Sequence, residues 1–101
     1  MRESTIEKYL VKRVKALGGE VRKVQWIGRR GAPDRLVMLP TVAAPKPGML
    51  IRQTIWVELK APGKEAEPHQ LREHKRMRKT GQYVVVIDSL LGVDLLLGIE
   101  K

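Results

Sequence analysis

Thr54-Ile55-Trp56-Val57-Glu58-Leu59-Lys60 (TIWVELK, residues 54–60) is the stretch on which the fold turns. Its β-branched and aromatic residues predict a strand over 54–59, because such side chains pack well on a pleated surface. Side chains alternate along a strand, so Glu58 and Lys60 project from one face. As a surface ion pair they would contribute under about 1 kcal/mol. Ile55 and Trp56 instead indicate a partly buried strand, where such a pair is costly without a ligand. Upstream, the apolar run Asp34–Leu39 (DRLVML) follows Gly31-Ala32-Pro33 and is closed by Pro40. It reads as a second strand, with Pro33 tolerated because the first position need not donate to a ladder. The two strands are expected to pair as a wide hairpin that brings Asp34 beside Glu58, across a Pro- and Gly-rich excursion over 40–50 (PTVAAPKPGML).

Further out, Ile6, Leu10, Val14 and Leu17 recur at helical spacing before Gly18-Gly19, which predicts an amphipathic helix over 3–17 with a glycine stop. Glu20–Ile27 alternates with one out-of-phase step near Lys23 and ends in Gly28-Arg29-Arg30-Gly31, an edge-type strand. Residues 66–80 read as a charged helix, with Pro68 in its first turn and Gly81 as its stop. Gln82–Asp88 (QYVVVID) is the most apolar strand and is expected to be the most buried. Ser89 can N-cap a short helix through Leu97, although that leucine-rich tail fits a strand equally well. The order is α-β-β-β-α-β plus a tail, an α/β class.

The 101 residues make one domain, 1–101, with 43% hydrophobic content sufficient for a core. Lys and Arg number 20 against 11 Asp and Glu, a net charge of +9 that must lie on the surface of that core. Such a surface calls for a polyanion, nucleic acid before membrane, since no helix joins a long apolar face to aromatic anchors. The absence of cysteine excludes disulfides, thiolate zinc sites and Cys nucleophiles. No apolar run suggests a membrane span or signal peptide, so a soluble, intracellular protein is expected.

Asp34 and Glu58 repel each other unless a cation lies between them, and hard oxygen ligands suit Mg²⁺ or Mn²⁺. The Leu59 carbonyl is a further candidate oxygen. Lys60 is spaced to lower the pKa of an attacking water or to stabilise charge on a phosphate. On a helical wheel Glu3 and Glu7 both fall within the apolar sector of the first helix, where an acid needs a reason.

Gly31-Ala32-Pro33-Asp34-Arg35, Trp56-Val57-Glu58-Leu59-Lys60, Gln70 in Pro68-His69-Gln70, and Gly81 before a Val-Val-Val-Ile strand occur in order. Together they resemble the PD-(D/E)xK nuclease superfamily, and within it the virus-type replication-repair nuclease family, VRR-NUC, over most of the chain. The resemblance implies a restriction-endonuclease-like core, a central mixed sheet flanked by helices, and Mg²⁺- or Mn²⁺-dependent hydrolysis of DNA. It matches Asp34, Glu58 and Lys60 to the motif residues and Gln70 to a helix glutamine that orients a water or the lysine. Glu7 matches the first-helix acid, a water-mediated metal contact, with Glu3 as the alternative. Stand-alone members of this size look like homodimers acting on branched DNA such as four-way junctions. A flap or duplex nicking enzyme and a non-catalytic DNA binder are the other readings; no small-molecule cofactor is implied, and a viral source would place the protein in host cytoplasm.

Arg72, Lys75, Arg76, Arg78 and Lys79 crowd the second helix, and Arg29, Arg30 and Arg35 flank the proposed site. With the net charge at +9, phosphate contact is expected of Arg29, Arg30, Arg35, Arg72, Lys75, Arg76 and Lys79, although Arg35 could instead pair with a carboxylate. His69 and His74, five apart, do not share a helical face and are expected to be solvated or DNA-facing. Trp26 and Trp56 are read as packing residues rather than base-stacking platforms. The closing leucines, Leu90-Leu91 and Leu95-Leu96-Leu97, either complete the core or form a dimer interface.

Overall fold

The computed structural model describes residues 1–40 and 54–98. Helix α1 (Glu3–Ala16) forms because Ile6, Leu10 and Val14 fall on one face, and all three are wholly buried. Strands β1 (Glu20–Lys23), β2 (Arg35–Met38) and β3 (Thr54–Leu59) follow, then helix α2 (Pro68–Lys79), strand β4 (Val84–Ile87) and helix α3 (Leu90–Leu97). The sheet order is β1-β2-β3-β4. The β1/β2 and β2/β3 pairs are antiparallel and β3/β4 is parallel. A parallel step cannot be made by a tight turn, and α2 is its crossover. The mixed sheet flanked by helices expected of an α/β chain is therefore the fold observed.

Alternation divides the sheet. Ile55, Val57 and Leu59 of β3, with Val37 of β2 and Ile87 of β4, close one face against Ile6, Leu10 and Val14 of α1 and Val93 of α3. The intervening residues, Trp56 and Glu58, face α2, where Met77 and His74 are also buried. Tyr9 ties α1 to α3 by donating its hydroxyl to the buried Asp94 Oδ1 at 2.7 Å, and Arg13 donates in turn to the Tyr9 oxygen.

Several elements differ from the sequence reading, each for a physical reason. The strand expected over 20–27 stops at Lys23, the position of its out-of-phase step. Past it, Trp26 leaves the ladder so that its indole N–H donates to the Pro33 carbonyl at 2.8 Å and its ring lies 5.2 Å from that of Trp56. β4 is not the most buried strand: Val86 is 38% exposed, whereas Ile55, Val57, Glu58 and Leu59 are all buried in β3. Strand order decides this, because β3 lies between two neighbours while β4 ends the described sheet. The Val84 carbonyl of β4 accepts from Arg78 Nε and Nη2, which covers a backbone group that an edge would leave unpaired. The tail is a helix, capped by the Ser89 hydroxyl accepting from the Gly92 N–H at 2.9 Å and ended by Gly98 in the left-handed region. The excursion expected over 40–50 lies, beyond Pro40, outside the described residues.

Candidate active site

The register explains how the motif residues meet. Arg35 pairs with Val57, and one further step of that antiparallel ladder sets Asp34 opposite Glu58. Asp34 is held there by its neighbours: its carbonyl accepts from the Val24 N–H at 2.9 Å, and Pro33 before it is buried beneath Trp26. The approach to Asp34 depends on Gly31, whose φ is +88° and where a Cβ would stand 2.8 Å from the His69 carbonyl of α2. Only glycine allows both that backbone conformation and that approach.

Glu58 is 8% exposed and its carboxyl is pushed up to about 7. Burial is the main cause; the Asp34 and Glu3 charges add to it, while Lys60 and then Arg35 oppose it. A carboxyl raised this far by burial and two neighbouring acids is one that a cation would stabilise in ionised form. Lys60 is half-buried just past β3, and its backbone N–H donates to the Ile87 carbonyl at 2.9 Å. That bond aims the Lys60 N–H at β4, so the Leu59 carbonyl of the same peptide unit is aimed at β2. The residue in register there is Pro33, which has no N–H to give. A carbonyl without a ladder donor, beside two carboxylates, is a donor set that suits a hard divalent cation. A groove of about 480 Å³ opens beside Asp34, lined also by Lys23, Val24 and Gln25.

The two candidate acids of α1 are used differently. Glu7 accepts from Arg35 Nε at 2.6 Å and from its Nη2. Glu3 contributes to the field on Glu58 and is exposed at the start of the helix. Arg35 also pairs with Asp34 at 2.9 Å, leaving its side chain only 13% exposed between the two acids. Arg29 donates from Nε to the buried Glu73 at 2.9 Å, tying the turn before Gly31 to α2. Arg30, Arg72, Lys75, Arg76 and Lys79 are exposed. Those on α2 form one stripe at helical spacing, turned away from His74 and Met77, and Arg76 at its edge also lies 3.5 Å from Glu73 Oε1. The Gln70 carbonyl oxygen accepts from the Glu67 N–H at 2.8 Å and completes a capping box, so that atom serves the helix start.

His74 departs from expectation: it is 0% exposed, with Nε2 3.5 Å from Glu58 Oε1. Its spacing from Gln70 and Met77, four and three residues, was the available signal for a buried face. His69 is half-buried. Glu73 as a buried anchor for Arg29 was likewise not foreseen.

A mixed sheet that sets two carboxylates and a lysine at the junction of its antiparallel and parallel halves defines an α/β nuclease-type fold. No family model matches the chain. The chain is similar to "Putative nuclease p44" of Acyrthosiphon pisum secondary endosymbiont phage 1, at 46% identity over 89 residues, 88% of this chain and 85% of the relative. It is also similar to a solved structure described as "VRR_NUC domain", with a TM-score of 0.77 and 42% identity, covering 98% of this chain and 97% of the other. The chain belongs to the VRR-NUC nuclease family.

Proposed function

We propose that this nuclease is a Mg²⁺- or Mn²⁺-dependent endodeoxyribonuclease that acts on branched DNA as a homodimer. The observation that carries the metal dependence is Glu58, a buried carboxyl raised to about 7 in the field of Asp34 and Glu3, beside a carbonyl with no ladder donor. Asp34, Glu58 and the Leu59 carbonyl would hold the ion. When bound, it would supply a Lewis acid for the scissile phosphate and a lowered pKa for a coordinated water. Lys60, on the same strand face as Glu58, holds the attacking water and stabilises charge developing on the phosphate. The outer acid is Glu7 or Glu3. Coupling of Glu3 to Glu58 supports Glu3, while Glu7 fixes Arg35 and through it Asp34. Gln70 has its amide nitrogen for orienting water, its oxygen being in the cap.

Arg30, Arg72, Lys75, Arg76 and Lys79 draw in the phosphate backbone, and Arg29 and Arg35 brace the site from which it is cut. Among the described residues no aromatic platform for reading bases accompanies them, since Trp26 and Trp56 pack against each other in a tilted pair, which supports recognition of DNA shape over sequence. Leu91 and Leu95 on α3, 52% and 72% exposed, support a second copy packing there; two related sites would suit the near two-fold symmetry of a four-way junction.

The test is cleavage of a labelled four-way junction beside duplex, flap and single strand, in Mg²⁺ or Mn²⁺, by wild type and Lys60→Ala at matched DNA binding. Symmetric junction cuts are expected, falling at least about 100-fold in Lys60→Ala, the scale of losing one transition-state contact. Cuts confined to flaps or duplex would replace the substrate and keep the site. Tight binding with no metal-dependent cleavage of any substrate would leave only a DNA-binding role.

A further inference from the structure

His74 presents a problem that packing does not solve. It sits on the buried face of α2 at 0% exposure, and neither ring nitrogen has a hydrogen-bond partner. An unsatisfied buried polar group costs about 1–3 kcal/mol, a penalty that methionine or phenylalanine would avoid at the same place. Glu58 Oε1 lies 3.5 Å from Nε2, at the outer edge of hydrogen bonding, so a small turn of the carboxylate closes the bond. Burial, with Arg78 and Lys60 nearby and Glu73 opposing, holds the imidazole below its usual range, in the neutral form with a single N–H.

Glu58 needs such a partner. As an ionised carboxylate it is drawn toward Lys60 and Arg35 and repelled by Asp34 and Glu3, and neither Lys60 nor Arg35 donates a hydrogen bond to it. Metal-binding carboxylates ordinarily depend on an outer hydrogen bond to fix their orientation. We propose that His74 is a positioning residue for Glu58, donating Nε2–H to Oε1 so that the carboxylate is held in one orientation toward the ion. This rests on the metal reading of the site given above.

The experiment titrates the full-length protein with Mn²⁺ in the absence of DNA, following free Mn²⁺ by electron paramagnetic resonance, for wild type, Glu58→Gln, His74→Phe and His74→Gln. Loss of an outer hydrogen bond predicts binding weakened about 10- to 100-fold in His74→Phe. His74→Gln, whose amide nitrogen reaches a similar position, should bind within a few-fold of wild type. Wild-type affinity in His74→Phe overturns the proposal, as does equal weakening in both variants accompanied by an equal fall in Tm, which would mark a merely structural histidine. If Glu58→Gln abolishes binding while His74→Phe does not, only the positioning role fails. If wild type binds no Mn²⁺, the metal reading fails and takes the proposal with it. A measurement without variants guards against misfolding: ¹⁵N resonances of His74 in the wild type should report the Nε2–H tautomer, and an Nδ1–H tautomer would overturn the proposal.

Discussion

Glu58 carries an electrostatic liability whose sign can be followed with pH. Its carboxyl is raised to about 7 in the folded chain, chiefly by burial, and returns to an ordinary value near 4.5 on unfolding. Stability from this group is therefore fully present below about 4.5 and is lost as pH rises through about 7, because ionisation then favours the solvated, unfolded carboxylate. For a shift of that size the loss is on the order of 3 kcal/mol at one pKa unit per 1.36 kcal/mol. In EDTA, Tm should fall between pH 5 and pH 8; Glu58→Gln should flatten the profile, and added Mn²⁺ should raise Tm most at the alkaline end. A flat wild-type profile would contradict the burial argument. Arg35 shows the converse at the same scale: an arginine legible as a phosphate contact is placed between Glu7 and Asp34, so its charge organises acids before it meets DNA.

At the scale of elements, α1 and α3 cover one face of the sheet and are joined by a polar contact inside it. Asp94 is 5% exposed and accepts from Tyr9, with Arg13 3.8 Å away and over the Tyr9 ring. Tyr9→Phe removes the hydroxyl and leaves a buried carboxylate short of a donor, a loss of about 1–3 kcal/mol. Denaturant unfolding should register it, with cleavage per folded molecule unchanged since neither residue borders Glu58. The double variant Tyr9→Phe/Asp94→Leu should be less destabilised than the sum of its singles, because no orphaned charge remains. Additive losses would mean that the pair is not coupled. α2 does a different job: its buried side holds Arg29 through Glu73 and meets Glu58 through His74, while its exposed side displays Arg72, Lys75, Arg76 and Lys79. One helix thus links the basic surface to the carboxylate site.

Over the whole molecule, a charge of +9 makes binding to DNA an exchange of counterions. If Arg30, Arg72, Lys75, Arg76 and Lys79 each neutralise one phosphate, log K for duplex should fall against log salt with a slope of about −4.5, at roughly −0.9 per contact. Arg72→Ala/Lys79→Ala should reduce that slope by about 2 units and leave the cleavage rate at saturating DNA near wild type; fluorescence anisotropy across salt concentrations measures it. An unchanged slope would move the DNA path away from α2. No helix among the described residues is long and apolar enough to cross a membrane.

Sequence alone determined the elements whose signals are local: the apolar stripe of α1, the β-branched run of β3, Pro68 at the start of α2 and the glycine stops, while the tail after Ser89, open between helix and strand, was decided by the structure. It also determined that Asp34 and Glu58 would face each other, because period-2 alternation and an antiparallel hairpin leave little freedom of register. The tertiary structure decided what depends on neighbours far along the chain. Burial passed from the more apolar β4 to the central β3; Trp26 left its strand for the Pro33 carbonyl and Trp56; Glu7 and Glu3 were separated by which of them reaches Arg35. His74 belongs to the same group, since a lone histidine among basic residues reads as solvated until the helix is laid across the sheet with that side turned inward toward Glu58. Periodicity tells which residues share a face, but only the packing of one element on another tells what that face meets.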